Sequence, residues 1–102
     1  MTEASVVAGA GGALALRGVL DYRSGPQLRE DGRELIRASA EQALVLDCSG
    51  VEKSSSVGLS LLLAFMRDAN RAGKTLSIRG LPAEMHDIAQ VSGLVELLPL
   101  QP

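Results

Sequence analysis

Aromatic side chains are almost missing from this 102-residue chain: Tyr22 and Phe65 are the whole complement, and Trp is absent. Proteins that read single-stranded nucleic acid stack bases on aromatic platforms, so that mode of recognition is excluded. An excess of positive charge is missing too. Ten Lys and Arg face twelve Asp and Glu, a net charge of -2, whereas binders of a phosphate backbone concentrate basic residues. One cysteine, Cys48, rules out an internal disulfide, and one histidine, His86, leaves the common zinc donor sets incomplete. The longest unbroken apolar run beyond the N-terminal stretch, Leu61 to Met66, falls far short of the ~20 residues that span a bilayer, and no long basic amphipathic helix is present. No cofactor, metal, nucleic acid or direct membrane insertion is therefore expected. The N-terminal stretch carries Glu3 where a leader would be basic and is broken by Gly9, Gly11 and Gly12, so it reads as mature cytoplasmic protein.

What the chain does have is aliphatic material. Hydrophobic residues make up 46%, enough for one core of Leu, Val, Ile, Ala and Met and too little for two, because a chain this long buries roughly two thirds of its unfolded surface. A single domain over 1–102 is expected, with 1–12 a partly variable strand and turn and 13–98 the core. Alternation at Val6, Ala8, Leu14 and Leu16 around the glycine cluster predicts a β-hairpin. A capping Ser24 followed by Pro26 predicts a helix start, with Leu28, Leu35 and Ile36 on its apolar face and Glu30 and Glu34 spaced to pair with Arg33 and Arg37. The run Ala43-Leu44-Val45-Leu46 predicts a central strand covered on both faces. A long helix from about Ser56 to Ala72, stopped by Gly73, precedes a strand at Thr75–Ile78. A third helix opens at Pro82 and closes at Gly93, and Leu94–Leu98 is a last short strand or helix. The fold class is α/β: a mostly parallel four- to five-stranded sheet with an N-terminal hairpin and three to four helices.

No catalytic constellation is legible. Asp47 stands at the carboxyl end of a strand, where open α/β folds often place reactive groups, yet no base or nucleophile is spaced to join it. His86 is expected on the solvent side of the third helix, and Cys48, without a neighbouring cation, is expected to be a buried, inert thiol. The chain is read as a non-enzyme. On the second helix, Leu59, Leu62, Leu63, Met66 and Ala69 form one apolar face and Leu61 and Phe65 widen it to about 200°, against the ~100° that seals one core. Leu61 and Phe65 are therefore expected to be available for docking a partner, unless neighbouring helices cover the whole arc. Arg67 and Arg71 on the polar flank are spaced to meet acidic groups.

The segment ALVLDCSGVEKSSSVGLSLLL (43–63) joins a buried strand, an acid at its end, a polar loop, a serine cluster and a helix beginning with Gly58-Leu59. It resembles the STAS family, the domain shared by anti-sigma factor antagonists, sulfate transporter tails and the MlaB subunit of the Mla phospholipid transporter. Asp47-Cys48-Ser49 matches the family's D-x-S, Ser55-Ser56-Val57-Gly58-Leu59 occupies its D-[ST]-[SG]-G-L, Arg71-Ala72-Gly73-Lys74 is similar to its glycine stop, and Val91-Ser92-Gly93-Leu94 to its [ML]-[ST]-G-L. The resemblance spans about residues 13–98.

The resemblance implies a non-catalytic binding subunit. Val57 falls where the antagonists carry their phosphorylated serine and Ser55 where they carry the acid, so the pattern is closer to MlaB-type proteins, whose [ST] position corresponds to Ser56. The implied partner is the ATPase subunit (MlaF-like) of a phospholipid-transporting ABC permease complex, which would hold this chain at the inner membrane. The implied contact surface is Ser49, Ser54, Ser55, Ser56, Val57, Leu59, Ser60, Leu61 and Phe65. Independently of the family, Ser55 and Ser56 at a helix start are suited to capping it. The alternative is an anti-sigma factor antagonist that binds a serine-protein kinase, with Ser55 and Ser56, and less directly Ser54, as candidate phosphate acceptors.

Overall fold

The computed structural model describes residues 3–101. The chain runs β1 (Ser5–Ala8), β2 (Ala13–Leu20), α1 (Gly25–Ala38), β3 (Ala43–Ser54), α2 (Ser56–Arg71), β4 (Thr75–Arg79) and α3 (Ala83–Val91), with short 3-10 turns at Ala10–Gly12 and Val95–Leu97. The strands form one sheet in the order β1-β2-β3-β4. β1 and β2 make the antiparallel hairpin, while β2–β3 and β3–β4 are parallel. Leu14, Leu46 and Ile78 lie in one register row across the three longer strands, and all three are buried against the helices.

The opposite face of the sheet departs from expectation. Ala15, Val45 and Ser77 are half-buried, and Arg17, Thr75 and Arg79 are exposed. The run 43–46 is thus a strand covered on one face. Continuous apolarity misled here because Ala43 and Val45 are small enough to face water at little cost, since scattered surface apolar residues are normal.

Helix α1 begins where Pro26 predicts, but Ser24 does not cap it. Its hydroxyl turns back to donate to the Val19 carbonyl at 2.8 Å and to accept from the Asp21 N–H at 3.0 Å, tying the helix start to the end of β2. The other end of α1 is capped by the distant Lys74, whose ammonium donates to the carbonyls of Ile36 at 2.6 Å and Ser39. A cation there meets both the unpaired carbonyls and the negative end of the helix dipole. Arg33–Glu30 and Arg37–Glu34 pair along the exposed side as their spacing predicts.

The helix layer is set by one contact. Phe65 of α2 is 1% exposed and lies over Gly32 of α1, where a Cβ would stand 2.3 Å from its ring. Leu61, at 3%, is buried as well. The expectation that Leu61 and Phe65 are left over for a partner is therefore corrected: the side chain missing at position 32 lets α1 approach closely enough to cover the Leu61–Phe65 side of the α2 arc, while Leu63 and Met66 are half-buried. Asp68 of α2 is likewise drawn inside and held by both guanidinium nitrogens of Arg29.

Gly32→Ala tests this packing. Alanine gains about 1 kcal/mol of helix propensity, but the added methyl overpacks a site with no free volume, a penalty of ~3 kcal/mol. The substitution is expected to lower stability by about 2 kcal/mol in chemical denaturation, and a rise in the midpoint would show the contact to be loose.

Candidate partner-binding surface

The region around the serines is built by β3. Against β2 it carries one extra residue between Asp47 and Gly50 and another between Val51 and Lys53. Each bulge turns two residues outward where a regular strand turns one. Burial consequently recurs every third residue, at Cys48, Val51 and Ser54, with Ser49, Gly50, Glu52 and Lys53 exposed. The expected polar loop is in fact strand as far as Ser54, and its period of three hides it from a search for alternation.

The three serines of the cluster have different surroundings. Ser54 is 7% exposed, its hydroxyl donating to the Ser55 carbonyl at 2.7 Å and its N–H to Glu84 of α3 at 2.9 Å. Gly58 permits this, because a Cβ there would stand 2.0 Å from the Ser54 hydroxyl. Ser55 is the N-cap of α2: its hydroxyl accepts from the Val57 N–H at 3.2 Å and lies 3.4 Å from the Leu20 carbonyl, which also receives the Ser55 N–H at 2.9 Å. Ser56 is exposed, and among the described residues its hydroxyl has no hydrogen-bond partner. Ser60, one turn on, is exposed and bonds back to the Ser56 carbonyl at 3.4 Å.

The expected site therefore separates into parts. Ser55, Ser56 and Ser60 share the exposed start of α2, with Val57 half-buried beside them. Ser54, Leu59, Leu61 and Phe65 are buried and present no side chain to a docking protein. Ser49 lies five residues before Ser54, on the order of 15 Å away along the strand, next to Gly80 at the end of β4. Sequence reading missed Glu84, which bonds the end of β3, and a cleft of about 510 Å³ at the carboxyl ends of β2 and β3 lined by Lys53, Ser55, Glu84 and Ile88.

Asp47 accepts the Ser49 N–H at 3.0 Å and Arg79 at 3.2 Å. The Ser49 hydrogen bonds, backed by Arg79, hold its carboxyl below the ordinary value of 3.8. This accounts for Asp47 as an electrostatic tie between β3 and β4. Cys48 is wholly buried, and burial next to Asp47 pushes its thiol up to about 12. His86 is half-buried on α3. Among the described residues no group of three or more His, Cys, Asp or Glu is placed to hold a metal ion, and no helix is long and apolar enough to cross a membrane.

An α/β sheet with an N-terminal hairpin, and a capped helix start following its bulged central strand, define the class: the chain belongs to the STAS family. The family model that matches, over residues 5–99, is described as the MlaB STAS domain. Among solved structures, the chain is similar to a subunit in the Acinetobacter MlaFEDB complex in an ATP-bound conformation, with a TM-score of 0.79 and 24% identity over 94% of this chain and 100% of that one. It is similar also to an anti-sigma factor antagonist from Mycobacterium paratuberculosis, with a TM-score of 0.75 and 25% identity over 98% of this chain and 85% of that one. For the anti-sigma factor antagonist SpoIIAA in its unphosphorylated form the values are 0.72 and 18%, over 98% and 89%.

Three outcomes follow from this geometry. Ser55→Ala is expected to cost about 1 kcal/mol through loss of the cap, whereas Ser56→Ala stays within ~0.5 kcal/mol; equal losses in thermal unfolding would contradict the division of roles. Because the Asp47 pKa is lowered on folding, its contribution is complete above pH 3.8 and fades as pH falls below it. Asp47→Asn should therefore flatten the acid limb of the stability profile and leave its slope near neutrality unchanged. Iodoacetamide should label Cys48 only under conditions that unfold the chain; rapid labelling of the native protein would place the thiol at the surface.

Proposed function

We propose that this chain is the STAS subunit of a bacterial phospholipid-transporting ABC complex, a non-catalytic partner that binds its ATPase and stabilises or regulates it. The observation that carries the reading is the MlaB family match over residues 5–99. It is supported by the likeness to the chain in the MlaFEDB assembly. The contact is made by the exposed start of α2, with Ser56 and Ser60 offering hydroxyls to backbone groups of the partner and Val57 a small apolar surface. In this reading ATP hydrolysis belongs to the other chain, and this one reaches the inner membrane only through it.

A second reading, an anti-sigma factor antagonist that binds a serine kinase, is favoured by the 25% identity to the mycobacterial antagonist. Ser56 is then the acceptor, since its hydroxyl is exposed and free, whereas Ser54 is buried and Ser55 holds the cap.

Ser56→Asp separates binding from folding. A carboxylate in the first turn of α2 is favoured by the helix dipole, so the melting temperature should hold or rise slightly. Co-purification with the cognate ATPase should fall about tenfold or more, as expected when a charge is buried without a counterion. Retained co-purification by both Ser56→Asp and Ser60→Asp would remove the α2 start from the interface. Phosphate transfer from a cognate kinase to Ser56 would promote the second reading.

A further inference from the structure

The surface between α1 and α2 carries two clefts in line. At the amino-terminal end of the helices, a cleft of about 440 Å³ is walled by Tyr22, Pro26 and Val57 over the buried Leu61 and Ala64, with Arg29 and Arg67 at its margin. At their carboxyl-terminal end, a cleft of about 330 Å³ is lined by Arg33, Arg37 and Arg71, with Asp68 at its base. From Pro26 to Arg37 the groove runs about 16 Å, three turns of helix.

Its charge differs from that of the molecule. Of the chain's ten basic side chains, five line these two clefts, and the one acid among the lining residues is Asp68, already held by both guanidinium nitrogens of Arg29. Two of the remaining eleven acids, Glu30 and Glu34, pair with Arg33 and Arg37, and nine stand with the other five bases. Arg67 and Arg71 form no ion pair among the described residues. Arg33 and Arg37 pair only with Glu30 and Glu34 of their own helix, all four side chains being 45% exposed or more, and such pairs contribute ~0.5 kcal/mol or less. These cations are readily turned to an incoming anion. Tyr22, the only tyrosine, is 73% exposed at the apolar end.

We propose that the α1–α2 groove docks an acidic, amphipathic segment of the partner ATPase, which sets an apolar side chain beside Tyr22 and carboxylates along the Arg33, Arg37, Arg67 and Arg71 rims. The identity of the partner rests on the function proposed above; the groove adds a second contact, continuous with the first through Val57 and Ser60, which lie on its wall. The pairing of an apolar half with a cationic half selects a polypeptide. A free phosphate would use only the basic end, and a lipid surface is poorly matched to a concave apolar wall.

The test is binding of the purified full chain to its cognate ATPase subunit, with Arg67→Glu/Arg71→Glu and Tyr22→Asp as variants and circular dichroism as the check on folding. The charge reversal should raise the Kd about tenfold or more and abolish most of the weakening seen when salt is raised from about 0.05 to about 0.5 M. Tyr22→Asp should weaken binding and leave that salt dependence in place. If wild-type binding is intact and both variants match it, the groove proposal falls while the ATPase reading stands. If the wild type does not bind the ATPase, both fall. Binding of inorganic phosphate or of vesicles containing phosphatidylglycerol that the charge reversal abolishes, with ATPase binding unaffected, would overturn the proposal in favour of a small anion or a lipid headgroup.

Discussion

The fold depends on a vacancy. Phe65 is the only phenylalanine, and it reaches the interior because residue 32 of the facing helix has no side chain. Glycine within a helix weakens it by up to about 1 kcal/mol relative to alanine. Burying a phenylalanine contributes roughly 1.5–3 kcal/mol, so the exchange favours the glycine. The close approach of α1 and α2 follows from it. So do the burial of Leu61, the reach of Arg29 to Asp68, and the narrow groove above them.

Around the serines, chemistry is divided by backbone geometry. Three adjacent hydroxyls of identical type hold up the end of β3, cap α2 and face solvent, in that order. The order follows from the second β3 bulge, which turns Ser54 inward, and from Gly58, which leaves room for it. A hydroxyl kept free at a rigid helix start is well placed to donate to or accept from a partner, and the neighbouring cap fixes its direction.

Much of the fold was legible in the chain itself. Element order, the hairpin, the α2 boundaries, the parallel sheet and the ion pairs along α1 follow from periodicity, turn residues and spacing. What escaped depends on partners distant in sequence. A glycine in a helix does not announce the ring above it, so Leu61 and Phe65 seemed surplus. Bulges replace the two-residue period with three, so Ser49–Ser54 looked like loop. Lys74 capping α1 and Glu84 bonding the end of β3 are contacts between elements that no local pattern encodes. Of the site, the α2 start and the exposure of Ser56 were readable, while the buried state of Ser54 was not.

Residues 99–101 lie against β4, where the Ile78 N–H donates to the Pro99 carbonyl and the Gln101 N–H to the Ile78 carbonyl, at 2.9 and 2.8 Å. An unpaired strand edge is a template for another chain, and proteins blunt such edges by covering or shortening them. Here the covering segment is only a few residues long, and Pro99 in its middle cannot donate an N–H to extend the ladder. At the other side, β1 has four residues. A sheet bounded at one margin by a proline-containing strap and at the other by a four-residue strand offers little edge for strand-by-strand growth.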